Sequence, residues 1–80
     1  MKRDMSSLSR DIQLMPDDVA TALAARNLRG AYDVRPPYQR NDYLSWITGA
    51  KRPDTRAKRL AQMLDELESG GVYMKMKWHG

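Results

Sequence analysis

The chain has 80 residues, with 14 Lys and Arg against 10 Asp and Glu, and no Cys. That length makes one domain at most, burying only about 60% of the surface its unfolded form exposes, with stability on the order of 4–12 kcal/mol. Without Cys, disulfides and thiolate metal sites are excluded, and no run is apolar enough for a membrane span or a secretory h-region, so the expected location is the cytoplasm.

Residues 1–11 are polar, lack periodicity and are expected to be flexible. Ile12, Leu14 and Met15 lead into Pro16-Asp17-Asp18. A proline suits the first helical position, and acidic residues in the first turn favour the positive end of the helix dipole. Val19, Ala20, Leu23 and Asn27 then share one face, which predicts a helix over about 16–27. Residues 29–34 read as a connector with room for one helical turn, ending before Arg35-Pro36-Pro37 because a residue ahead of proline avoids the helical region.

Pro37 opens a second long helix, to about residue 50. Tyr43, Trp46, Ile47 and Ala50 recur at i, i+3, i+4 and i+7, and Leu44 flanks them. Trp46 is the expected anchor of the core. Pro53 opens a third long helix to about residue 69, striped by Ala57, Leu60, Met63, Leu64 and Leu67 and stopped by Gly70-Gly71. Asp54 and Lys58 have the spacing of a favourable i, i+4 pair. Beyond the stop, Val72, Met74, Met76 and Trp78 alternate with Tyr73, Lys75, Lys77 and His79, which reads as an extended tail over 71–80. One strand alone makes no sheet, so the tail either docks on the helices or hangs free. The expectation is an all-α single domain over 12–70: three main helices and a short helical connector, with a flexible start and an extended end.

Charge is unevenly spread. Residues 1–34 hold five basic and five acidic side chains, residues 35–59 hold seven against two, and residues 60–69 carry Asp65, Glu66 and Glu68 with no base. Lys51, Arg52, Arg56, Lys58 and Arg59 therefore crowd the start of the third helix. Free amides and the dipole of a helix N-terminus already attract anions, so cations there make a candidate anion site. The plainer alternative is a solvated basic surface. At 100° per residue, Arg56 lies about 40° from the Leu60 stripe, so it is expected to lean over Tyr43 or Trp46. Arg52 and Arg59 lie together on a flank, free for a partner, and Lys58 points to solvent.

No catalytic set is legible. The single His stands at position 79, hydroxyls have no base at helical spacing, and no Gly-rich loop follows a strand. His79 alone cannot complete a metal site, which needs three or four ligands. Catalytic, cofactor and metal residues are all expected to be none. The two helices around Pro53 have the length and break of a DNA-reading helix-turn-helix, but the second turns acidic after Gln62, which weakens that alternative. Tyr43 and Trp46 as a base-stacking platform are outweighed by their place in an apolar stripe.

Three segments together resemble a bacterial family, the YdeI or OmpD-associated (bacteriocin-protection) proteins: Met15-Pro16-Asp17-Asp18 with its Ala/Leu helix, Tyr43-Leu44-Ser45-Trp46-Ile47, and the ten residues from Ala50 to Arg59. The resemblance covers about residues 14–70. Tyr32 stands where the family pattern suggests Phe, and any role of the additional N-terminal domain of larger members is not expected to transfer to these 80 residues. The resemblance implies a helical module linked by name to envelope stress or protection from antimicrobial peptides, and it brings no catalytic residues. Ala50, Lys51, Thr55, Arg56 and Arg59 carry its signature. The combined expectation is a non-enzymatic, monomeric interaction module. Lys51, Arg52 and Arg59 are the candidate contacts for an anionic or protein partner, and Trp46, Ala50, Thr55 and Arg56 are expected to be structural. Nucleic-acid binding through 51–59 is the alternative.

Overall fold

The computed structural model describes residues 14–77. The expected flexible segment 1–11, Ile12, and Trp78 and His79 lie outside the described residues. Four helices follow in order, α1 Asp17–Ala25, α2 Arg29–Asp33, α3 Pro37–Thr48 and α4 Pro53–Ser69, and then two short strands, β1 Val72–Tyr73 and β2 Met76–Lys77. The fold is mostly helical, as the periodicity predicts, and the connector turn is α2.

Prolines and left-handed residues punctuate these elements. Pro37 and Pro53 occupy first helical positions, where a missing N–H costs nothing. The end of α1 is a Schellman stop: Asn27 sits at φ 57, and Leu28 and Asn27 donate backbone N–H bonds to the carbonyls of Leu23 (2.8 Å) and Ala24 (3.1 Å). Gly70 ends α4 at φ 83, a conformation that glycine adopts without a Cβ penalty.

Val19, Leu23, Leu28, Tyr32, Tyr43, Leu44, Ile47, Met63, Leu64 and Leu67 form the core, drawn from all four helices. Tyr32 fits that core as a buried aromatic, and burial raises its hydroxyl pKa. On α3 the anchor is Tyr43, which is fully buried, while Trp46 is half-buried and packs on the core from its rim. Ala57, expected on the apolar stripe, is exposed. Both placements have one cause, the face of α4 that α3 covers. Arg59, Met63 and Glu66, at i, i+4 and i+7, form a second stripe beside the one through Leu60, Leu64 and Leu67. Arg59 touches Trp46 and Glu66 touches Tyr43, so α3 crosses that second stripe.

The tail is extended, and it also doubles back. Val72 pairs with Lys77 and Tyr73 with Met76 in an antiparallel hairpin. Its two-residue loop places Met74 at φ 50 and Lys75 at φ 66. Two left-handed residues are the geometry of a type I′ turn, usually Asn-Gly, and each costs a non-glycine residue about 1–2 kcal/mol.

Candidate functional site

Two groups of charged side chains are set by this fold, one at the α3–α4 corner and one inside. At the corner, Lys51 and Arg52 lie in the connector and are exposed. Arg52 Nε donates to Asp54 Oδ1 at 3.2 Å, with both side chains mostly in water. This pair replaces the Asp54–Lys58 pair expected from spacing, and Lys58 is exposed. An exposed pair of this kind contributes about 0–1 kcal/mol and yields readily to a competing anion.

Arg56 and Arg59 exchange their expected places. Arg56 does not lean over Tyr43 or Trp46. Its Nε and Nη2 donate to Asp18 Oδ2 and Oδ1 at 3.0 and 3.1 Å, tying the first turn of α4 to that of α1. This two-bond contact, ahead of any other cause, holds the Asp18 carboxyl below its ordinary pKa of 3.8. Arg59, expected to be free on a flank, donates Nη1 to the Trp46 carbonyl at 2.7 Å, and its guanidinium lies 5.4 Å from the Trp46 ring centroid. The apolar stripe runs through Leu60, whereas α3 meets α4 nearer Met63, which carries Arg59 into the contact. Gly49 keeps this helix end tight: a Cβ there would stand 3.0 Å from the Ser45 carbonyl oxygen. Thr48 Oγ1 bonds the Leu44 carbonyl at 2.8 Å and Gly49 N–H the Ser45 carbonyl at 2.9 Å, so Arg59 completes the C-cap of α3. Ala50 is partly buried and gives its N–H to the Ile47 carbonyl, and Thr55 is partly buried in the first turn of α4.

The interior group was not singled out from the sequence. Arg35, Gln39 and Glu66 are all buried, at 3%, 0% and 6% exposure. Arg35 donates Nη1 to Gln39 Oε1 at 3.1 Å and Nη2 to the Glu66 carbonyl at 3.0 Å, placing a cation at the negative end of α4. The Glu66 carboxylate accepts four hydrogen bonds. Oε1 receives the Tyr43 hydroxyl and the Met74 N–H (2.8 Å), and Oε2 receives Gln62 Nε2 (3.0 Å) and the Lys75 N–H (2.8 Å). Burial, and then the bond to Glu66, push the Tyr43 hydroxyl well above its usual pKa. Tyr73 adds a hydroxyl bond to Asp42 Oδ2 at 2.7 Å, and its ring meets those of Tyr43 and Tyr38 edge-on at 5.4 and 6.0 Å. A buried charge persists only when its lone pairs are filled, and here they are. The residue before Pro36-Pro37 and the i, i+4 pair Gln62 and Glu66 were the sequence signals available. Both read equally well as solvent-facing polarity.

Among the described residues, no group of three or more His, Cys, Asp or Glu is placed to hold a metal ion. Among them, too, no helix is long and apolar enough to cross a membrane. An open depression along α4 is lined by Lys58, Gln62, Asp65 and Val72, of mixed charge. Of the corner's cations only Lys58 reaches it.

The molecule is thus a small helical domain whose buried charges serve its own packing while cations gather at one corner. The chain belongs to the family described as Bacteriocin-protection, YdeI or OmpD-Associated, which it matches over residues 14–70. No curated protein and no solved structure matches it.

Proposed function

We propose that this domain is a non-enzymatic interaction module of a bacterial cytoplasm, acting as a monomer and holding an acidic protein surface at the α3–α4 corner. Membership of a family named for bacteriocin protection makes a role in antimicrobial-peptide or envelope stress the natural setting. The observation that carries the reading is the contrast between the two charged groups. Arg35 and Glu66 are buried and hydrogen-bonded, whereas Lys51 and Arg52 are exposed beside a helix N-terminus, Arg52 held only by its solvent-facing pair with Asp54. In this reading Lys51 and Arg52 make the contact. Arg59 fixes the corner's shape through Trp46, and Thr55 and Arg56 maintain the start of α4.

Nucleic-acid binding through the same corner is the second reading, favoured by the cations at 51, 52 and 58 alone. Polyglutamate and a DNA duplex of matched length, each titrated into the labelled domain at the same ionic strength, separate the two. Tighter binding of polyglutamate is expected. Tighter duplex binding that tracks base sequence would replace the proposal with the second reading, and no binding to either would remove both.

A further inference from the structure

We propose that the C-terminal hairpin is a detachable strap, latched to the helical body by the Glu66 carboxylate. When it lifts, it uncovers a socket made by Tyr38, Tyr43 and that same carboxylate. The inference is independent of the basic corner, which lies at the other end of α4.

The strap does not hold itself. Its strands have two residues each, too few for a self-sustaining hairpin. Its loop sets Met74 and Lys75 in the left-handed region without a glycine or asparagine to ease it. What holds that turn comes from outside the hairpin. The Met74 and Lys75 N–H groups donate to the two oxygens of Glu66, both at 2.8 Å, as charge-assisted bonds. The Tyr73 hydroxyl on Asp42, and its ring against Tyr38 and Tyr43, add to the anchorage.

The body does not need the strap for its core. Among the described residues, every fully enclosed core side chain lies between Val19 and Leu67, and Tyr73 and Met74 are partly buried against that cluster. Release leaves no orphaned charge. Without the hairpin, Glu66 keeps the Tyr43 hydroxyl on Oε1 and Gln62 on Oε2, and the two vacated positions open to water. Gly70, already at φ 83, with Gly71 beside it, gives a pivot at the end of α4. The open socket offers aromatic edges next to a carboxylate with two free acceptor directions. That chemistry suits an aromatic side chain followed by two unpaired backbone N–H groups, as Tyr73-Met74-Lys75 shows in cis.

Residue-resolved amide exchange on the full chain tests this. The Met74 and Lys75 amides should exchange on the order of tenfold or more faster than those of Ile47 and Leu64, reporting local opening. Glu66→Gln cannot accept at both turn amides, and should lower protection at Met74 and Lys75 by on the order of tenfold beyond any loss shared with Ile47 and Leu64. Lys75→Gly relieves the turn and should raise protection at Met74 a few-fold. The proposal is overturned if protection at 72–77 equals that of α3 and moves with it in every variant. It is equally overturned if Glu66→Gln leaves the turn amides as they were. Should Glu66→Gln loosen the whole body, Lys75→Gly decides. A gain confined to the hairpin supports the strap, and a gain shared by α3 and α4 makes the hairpin an integral part of the fold.

Discussion

Replacing Arg59 with Ala removes three interactions at once from the end of α3. The first is a charged donor on the part-buried Trp46 carbonyl at 2.7 Å, a class of bond that contributes about 1.5–3 kcal/mol. The second is the guanidinium over the Trp46 ring, about 0.5–1 kcal/mol at a partly exposed site. The third is favourable charge at a helix C-terminus that has no basic residue in its own last turn, about 0.3–1 kcal/mol. These overlap, because one group makes all of them, so Arg59→Ala should cost about 2–4 kcal/mol. For a domain of this size that lowers Tm by roughly 10–25 °C. Arg59→Lys keeps charge without the planar fork and should recover part of the loss. Lys58→Ala, one position away and exposed, should stay within about 0.5 kcal/mol. Thermal melts followed by far-ultraviolet circular dichroism measure all three. If Arg59→Ala melts with Lys58→Ala, close to the parent, the cap at the end of α3 carries no weight and Arg59 returns to the surface.

Tyr43→Phe should destabilise by about 1–2 kcal/mol in urea titrations, since it leaves a buried Glu66 lone pair unfilled while keeping the ring. A neutral result would show that water or a neighbour fills that position. Acid should weaken the Asp18–Arg56 contact with a defined sign. The folded-state pKa of Asp18 is depressed, so its contribution is full above the ordinary value of 3.8 and is lost as pH falls through the lower folded value. The stability difference between the parent and Asp18→Asn should therefore be constant at pH 5 to 7 and shrink below about pH 4. A difference that stays constant down to pH 2 contradicts the ion pair.

The helix boundaries were legible because they are written in local chemistry. Pro37, Pro53 and Gly70 each act on the backbone within a turn, and α4 begins and ends where they place it. The buried Arg35, Gln39 and Glu66 were not legible, because a polar residue on a helix is ordinarily a solvated one. Only the arrival of Tyr43 and the hairpin turn makes Glu66 interior. The Met74-Lys75 turn escaped for a related reason. Its residue types argue against left-handed conformation, and the group that overrides them lies eight positions back in α4. The crowding of Lys51, Arg52, Arg56, Lys58 and Arg59 is visible in the chain itself. Which arginine faces the partner helix depended on where α3 crosses α4, and no single helix contains that information. Trp46 yielded the centre of the core to Tyr43 on the same grounds.

The proposed activity resides in two exposed cations, so their removal is the direct test. Binding of fluorescently labelled polyglutamate to the parent domain and to the Lys51→Ala/Arg52→Ala double variant, by anisotropy at about 50 and 300 mM salt, isolates them. At low salt the double variant should bind about three- to tenfold more weakly, the loss of two exposed charge contacts, and high salt should erase the difference. Equal affinity of the two proteins at low salt, with both still folded, would contradict an anion-binding role for this corner.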